Sequence, residues 1–116
     1  MGDVIGKKIE LLASAARTAT TTSAAKSLPS NAKNVGILMV TTAYTSGNFT
    51  AKLQSSWDGG TNWTDVAGAT TGAISATGQK FAVSTEDCGP LVRTVNTGAS
   101  TPSATNQVFV IFNEGE

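Results

Sequence analysis

The stretch Phe49-Thr50-Ala51-Lys52-Leu53-Gln54-Ser55-Ser56-Trp57-Asp58-Gly59-Gly60-Thr61-Asn62-Trp63 decides the fold class. In its first nine residues Phe49, Ala51, Leu53 and Trp57 fall on one side and Thr50, Lys52, Gln54 and Ser56 on the other. A period of two is that of a β-strand, and a one-sided pattern is that of a strand with one face wet. The next five residues, Asp58-Gly59-Gly60-Thr61-Asn62, are turn formers, so a hairpin is expected to close between Trp57 and Trp63.

The same grammar extends in both directions. Candidate strands are Ile9 to Thr18, Val35 to Thr45, Phe49 to Trp57, Trp63 to Val66, Gln79 to Ser84, Leu91 to Thr97 and Gln107 to Asn113. Turn residues punctuate them at Ser46-Gly47-Asn48 and Gly98-Ala99-Ser100-Thr101-Pro102-Ser103, which predicts consecutive hairpins and mainly antiparallel pairing. In the last segment Val108, Val110 and Phe112 share one face and Phe109 and Ile111 the other. Both faces of that strand therefore look covered, as for a strand central to an assembly. Between Ile9 and Ala25 the run Leu11 to Arg17 would also suit a short helix, but the β-branched run Thr18 to Ser23 argues for extended chain. These elements predict an all-β, single antiparallel β-sandwich, Ig-like or jelly-roll-like, of seven to eight strands over residues 9–116. Residues 1–8, including Gly2, Asp3, Val4, Ile5, Gly6, Lys7 and Lys8, read as a polar N-terminal arm outside the core that could dock on a partner.

Composition narrows the function. The 116 residues carry eight Lys and Arg against eight Asp and Glu, a net charge of zero, and only 14% are charged. Basic residues are scattered rather than clustered, so nucleic acid is not an expected partner. Aromatic residues are 6% and Ala is abundant, which predicts a thin core and favours stabilisation through assembly. A near-neutral surface lacks the self-repulsion that keeps chains apart. The one cysteine, Cys88, allows no intrachain disulfide, and no apolar run has signal-peptide or membrane-spanning length. Synthesis in a cytoplasm, with no membrane partner, is the expectation; the sequons Asn48-Phe49-Thr50 and Asn62-Trp63-Thr64 are then coincidental.

Catalytic chemistry finds little to use. There is no histidine, which removes the commonest general base and the Ser-His-Asp triad. Glu86-Asp87-Cys88 invites thiol or metal chemistry, but a thiol nucleophile wants a histidine base and zinc wants several Cys or His. Carboxylate pairs among Asp58, Asp65, Glu86 and Asp87 lack the hydrophobic bulk to build a cleft around them. Gly59-Gly60 opens no phosphate-binding helix. No enzyme activity, cofactor or metal is expected.

Ser56-Trp57-Asp58-Gly59-Gly60-Thr61-Asn62-Trp63 resembles the Asp-box, a hairpin motif of pattern S-x-D-x-G-x-T-W found in sialidases and many other β-rich proteins, with Asn62 in place of Thr. Its logic is structural: Asp58 can accept hydrogen bonds from the turn's own backbone amides, Gly59 and Gly60 permit positive φ, and Trp63 packs back on the hairpin. Trp57 and Trp63 have two readings, as anchors for a core with few large side chains or as a glycan-stacking platform. The uncharged, β-prone segments Ser103 to Asn106 and Thr18 to Thr22 read either as solvated chain or as edges covered by a neighbouring subunit.

From residue 9 onward the order of elements resembles that of small β-sandwich structural proteins of tailed bacteriophages. The resemblance rests on Leu11 to Thr18, Val35 to Val40, Ala51-Lys52-Leu53-Gln54-Ser55-Ser56, Asp58-Gly59-Gly60-Thr61-Asn62-Trp63-Thr64-Asp65-Val66, and Gly89-Pro90-Leu91-Val92-Arg93, followed by the loop Gly98 to Ser103. Such chains read as LQxSxDGGTxWxDV, a glycine-rich bridge, xxVR, and a final loop and strand. The resemblance implies a virion protein, foremost a capsid decoration or cement protein on the outer surface of the head. Its implied partners are the major capsid protein and copies of itself as a homotrimer. A neck or tail subunit, or a carbohydrate-binding adhesion module, is the alternative it leaves open.

Overall fold

The computed structural model describes residues 6–114. Gly2, Asp3, Val4 and Ile5 of the expected arm lie outside the described residues. Gly6 donates its backbone N–H to Asn113 Oδ1 at 2.8 Å, and Lys7 and Lys8 are already paired with Phe112 and Ile111. The first strand thus begins two residues earlier than the sequence pattern suggested, because Lys7 and Lys8 find ladder partners at the C-terminal end of the chain.

The fold is all-β and antiparallel, with seven strands and no helix among the described residues: β1 (Lys7–Arg17), β2 (Thr21–Thr22), β3 (Lys26–Ser27), β4 (Ala32–Ser56), β5 (Thr64–Thr70), β6 (Gly78–Val83) and β7 (Leu91–Glu114). The helical alternative for Leu11 to Arg17 loses to pairing with β7. Two strands dominate. β4 and β7 run antiparallel along almost their whole lengths, from Ala32 opposite Glu114 to Ser56 opposite Leu91. Straight strands of that length would reach about 80 Å. The longest dimension of the molecule is 43 Å, so both must bend.

They bend together, and the bend makes the sandwich. Besides one register shift between Lys33 and Gly36, the shifts in the β4–β7 ladder cluster between Thr41 and Ala43, Tyr44 and Ser46, and Ser46 and Asn48. On one side of this corner lies a first leaf, in which β6 and the C-terminal half of β7 flank the N-terminal half of β4, with β1 beyond β7. On the other side lies a second leaf, with β5 on the C-terminal half of β4 and with β2 and β3 on the N-terminal half of β7. Strands that pass from one sheet to the next through bulges are a known way to turn such corners.

This corrects the expected hairpins at Ser46-Gly47-Asn48 and Gly98 to Ser103. Neither reverses the chain; both are irregularities inside continuous strands, facing one another across the ladder. Gly47 has φ 68°, and Ser100 and Thr101 have φ 60° and 53°. Turn-forming residues were needed, but to bend a paired ribbon rather than to end a strand. Tyr44 Oη donates to Gly47 O at 2.8 Å and Ser46 Oγ to Thr101 O at 2.7 Å, fastening the corner. Ser103 to Asn106 is likewise no edge, since Ala104 and Thr105 pair with both β1 and β4.

The core fills the space between the leaves. Ile37, Met39, Val108, Val110 and Phe112 come from the first leaf and Phe49, Ala51, Leu53 and Val92 from the second, with Leu11, Leu12, Val66, Ala69 and Ile74 closing the sides. Full burial of such aliphatic and aromatic side chains contributes about 1.5–3 kcal/mol each. Near the corner the lining turns polar: Thr41, Thr94, Asn96 and Asn106 are buried, the last three with no exposure at all. Asn96 Nδ2 donates to Asn106 Oδ1 at 3.0 Å, and Arg17 Nε donates to the same oxygen at 2.9 Å.

Candidate functional site

Three surfaces could carry function: the Asp58 hairpin, the outer faces of the two leaves, and a cleft between loops. The hairpin is built from its own residues. Asp58 Oδ1 accepts from Ser56 Oγ at 2.8 Å and from the Asn62 backbone N–H at 2.9 Å, while Asp58 Oδ2 accepts from Asn62 Nδ2 at 2.7 Å. Ser56 Oγ in turn accepts from Gly60 N–H at 2.9 Å, and Trp63 Nε1 donates to Gly60 O at 3.1 Å. Gly59 and Gly60 have φ of 75° and 96°. Both carboxylate oxygens of Asp58 therefore accept donors from the turn itself, and the carboxylate serves architecture.

The Asn62 backbone and side-chain donors, then Ser56, hold the Asp58 carboxyl at a pKa of about 2, against an ordinary 3.8. A depressed carboxyl pKa adds to folded stability above the unfolded-state value, and the contribution is lost as pH falls through the folded value. The Asn62 backbone amide should accordingly shift as pH falls through the Asp58 pKa, with a midpoint near 2 in an NMR pH series. The Asp58→Asn variant should show no such transition. A midpoint near 4 in the native chain would mean that the turn does not hold its carboxylate.

The two tryptophans part company. Trp63 is half-buried, with the Arg93 guanidinium 4.4 Å from its ring centre. Trp57, expected inward from the alternation of β4, is 71% exposed. The strand ends at Ser56 opposite Leu91, and the Asp58 turn then swings the chain out of the ladder, so parity no longer applies one residue later. Neither tryptophan belongs to the core. They do not form one platform, because Trp63 is occupied by Arg93 and its own hairpin.

The outer faces differ in chemistry. On the second leaf, Arg93 Nε donates to Gln54 Oε1 at 2.8 Å, Gln54 Nε2 to Asp65 Oδ1 at 2.9 Å, and Lys52 Nζ lies 3.2 Å from Asp65 Oδ2. Gln54, ahead of Lys52, pulls the Asp65 carboxyl below its ordinary pKa. Trp63, Arg93, Gln54, Asp65 and Lys52 thus form a closed polar band. On the first leaf, Phe81, Leu38 and Phe109 sit side by side on β6, β4 and β7, with Val83, Gly36 and Ile111 in the row beside them. Phe81 is 67% exposed. Leu38 is half-buried and Phe109 and Ile111 are buried; on β1, Glu10 stands opposite Phe109 and Lys8 Nζ lies 4.5 Å from the Phe109 ring centre.

A cleft of about 590 Å³ lies between the segment 28–35 and the loop 86–90. Leu28 N–H donates to Pro90 O at 2.8 Å at one end, and Ser84 N–H to Val35 O at 2.8 Å at the other. Gly89 is pressed against the end of β4: a Cβ there would stand 2.4 Å from Ser56 O and 3.2 Å from Trp57 N. That close approach brings Glu86, Asp87 and Cys88 beside Trp57. Burial, and after it the charge of Asp87, raises the pKa of the half-buried Cys88 thiol. A protonated thiol is a poor nucleophile. No group of three or more Cys, Asp or Glu side chains that could hold a metal occurs among the described residues. The described residues contain no helix long and apolar enough to cross a membrane.

No protein-family model matches the chain, and no curated protein matches it.

Proposed function

We propose that this chain is a structural protein of a tailed-phage virion, foremost a decoration or cement protein that binds the outside of the head and joins neighbouring capsomers. The observation that carries the reading is the contrast between the two outer faces. One leaf wears a band of hydrogen bonds and one ion pair; on the other, Phe81 is 67% exposed and lies beside half-buried Leu38 and buried Phe109. A phenyl ring left this exposed, next to a row of apolar neighbours, is the point at which a partner would gain most by covering the leaf. Zero net charge removes a penalty on packing many copies close together. The resemblance of the Leu53 to Val66 and Gly89 to Arg93 segments to phage sandwich proteins supplies the setting.

The mechanism is linkage. A protein that binds the closed lattice and not its separated subunits shifts the equilibrium toward the closed shell by mass action. The partners would be the major capsid protein and copies of this chain, foremost as a trimer, with no part for nucleic acid, membrane or cofactor. Phe81 is the residue to test, because it is exposed and its replacement does not open the core. The Phe81→Lys variant should keep its folded spectrum yet lose assembly, seen as a smaller mass by light scattering or as failure to co-sediment with heads. Heads lacking the native chain should break at lower temperature or milder osmotic shock. Equal shell stability with and without it, together with location in the tail, would remove the cement reading in favour of a neck or tail subunit.

A further inference from the structure

We infer that the cleft beside Trp57 is a binding site for neutral oligosaccharides, with the Trp57 indole as the stacking surface. The inference stands apart from the virion reading, since a sugar site could sit on any β-sandwich. Its basis is the coincidence of three features. The first is an indole left 71% exposed in a chain with seven aromatic residues, where burial of a large ring would have benefited a thin core. An indole pairs an apolar face with a polar edge, which suits the apolar face and hydroxyl rim of a pyranose ring.

The second feature is a cleft whose volume, about 590 Å³, falls in the usual range for small-molecule sites. It is held open by fixed backbone: the Leu28–Pro90 and Ser84–Val35 hydrogen bonds brace its ends, and Gly89 holds its floor against β4. A preformed site avoids the ordering cost that weakens binding by mobile loops. Asp58 adds to this rigidity, because its turn fixes the exit direction of the chain at Trp57.

The third feature is the wall chemistry. Glu86 and Asp87 offer carboxylate acceptors and Lys33 an ammonium donor, set among the apolar surfaces of Leu28, Pro29 and Pro90. Mixed donors and acceptors around one aromatic face match the hydroxyls of a sugar. They do not match a purely apolar ligand, for which the charges would be desolvated without compensation. Two carboxylates against one cation disfavour sialic or uronic acids, so neutral sugars are the class that fits. Trp63, which the sequence would place in the same platform, takes no part.

The test is titration of the full chain with cellotriose, chitotriose and maltotriose, and with trigalacturonate as the acidic control. Trp fluorescence and calorimetry report binding, and amide NMR shifts map it. At least one neutral trisaccharide should bind, with shifts concentrated at residues 28–35, 57 and 84–90, and trigalacturonate should not. Trp57→Ala should weaken that binding by about tenfold or more while amide spectra elsewhere stay native. Trp57→Phe should retain part of it. The inference is overturned if none of the neutral sugars binds, if Trp57→Ala binds as the native chain does, or if the shifts map to the Trp63 and Arg93 face. It is equally overturned if a proline-rich decapeptide fills the cleft and the sugars do not, which would make it a peptide groove. None of these outcomes bears on assembly through Phe81.

Discussion

Gly47→Ala is expected to cost the folded chain about 3 kcal/mol or more, among the largest effects of any single methyl group in this molecule. Gly47 lies where β4 turns from one leaf to the other, with φ 68°. An L-residue in the left-handed region costs about 1–2 kcal/mol by itself. The added Cβ would also stand 2.5 Å from Ala99 O, 2.7 Å from Ser100 O and 2.7 Å from Pro102 Cα. All three are backbone atoms of β7, so no side chain can rotate away, and overpacking of this kind adds about 1–3 kcal/mol. Relief requires separating the two long strands at the corner that makes the sandwich. Gly59→Ala is the control: its φ is 75°, nearly the same, but nothing lies within 4 Å of the new Cβ. It should lose only the conformational part, about 1–2 kcal/mol. Urea or thermal unfolding of the two variants separates the terms, with Gly47→Ala lowering the melting midpoint by roughly 10 °C or more. Equal losses would mean that the ribbon yields at the corner and that close approach there is not what fixes the bend.

That corner is also where the sequence was hardest to read. The alternation of Phe49, Ala51 and Leu53 placed the second leaf's central strand correctly, because a period of two survives in any antiparallel sheet with one wet face. The split of Val108, Val110 and Phe112 from Phe109 and Ile111 likewise separated the core from the outer face. What failed was the inference from turn residues to chain reversal. Gly47 and the Ser100–Pro102 segment carry turn chemistry whether a strand ends or merely bends, and only the ladder distinguishes the two. β2 and β3 were missed because two-residue strands have no periodicity, and Ser23 hides a third contact: its Oγ accepts the Thr94 N–H at 3.0 Å in place of a backbone carbonyl. In the candidate sites, the Asp58 hairpin was legible because all its partners lie within a few residues. The exposure of Trp57 was not, since it depends on where the ladder stops. The apposition of Glu86 and Asp87 to Trp57 depends on Gly89 meeting Ser56 across some thirty positions of sequence.

The corner has an inner brace as well, and it carries the second large prediction. Asn96 and Asn106 stand on β7 on either side of the Ser100–Pro102 bulge, opposite Ala51 in one leaf and Thr41 in the other. Both are fully buried, and their hydrogen bond spans the bend from inside the core. Asn106 Oδ1 is the hub, accepting from Asn96 Nδ2 and from Arg17 Nε of β1. Asn96 Oδ1 and Asn106 Nδ2 have no partner of their own. Asn106→Ala removes the hub and leaves the whole Asn96 amide unpaired in the core; stranding a buried polar group costs about 1–3 kcal/mol, and the lost charge-assisted bond from Arg17 adds to it. A loss of about 3 kcal/mol follows, alongside a cavity contribution of the same sign. Asn96→Ala should cost less, because Asn106 Oδ1 keeps Arg17. The double variant should cost less than the two single losses together by about 1–2 kcal/mol, since the second substitution removes the amide that the first left stranded. Denaturant unfolding of the four chains closes this cycle. Additive losses would show that the two asparagines act independently, and the bend in β7 would then owe its hold to the Gly47 face of the corner alone.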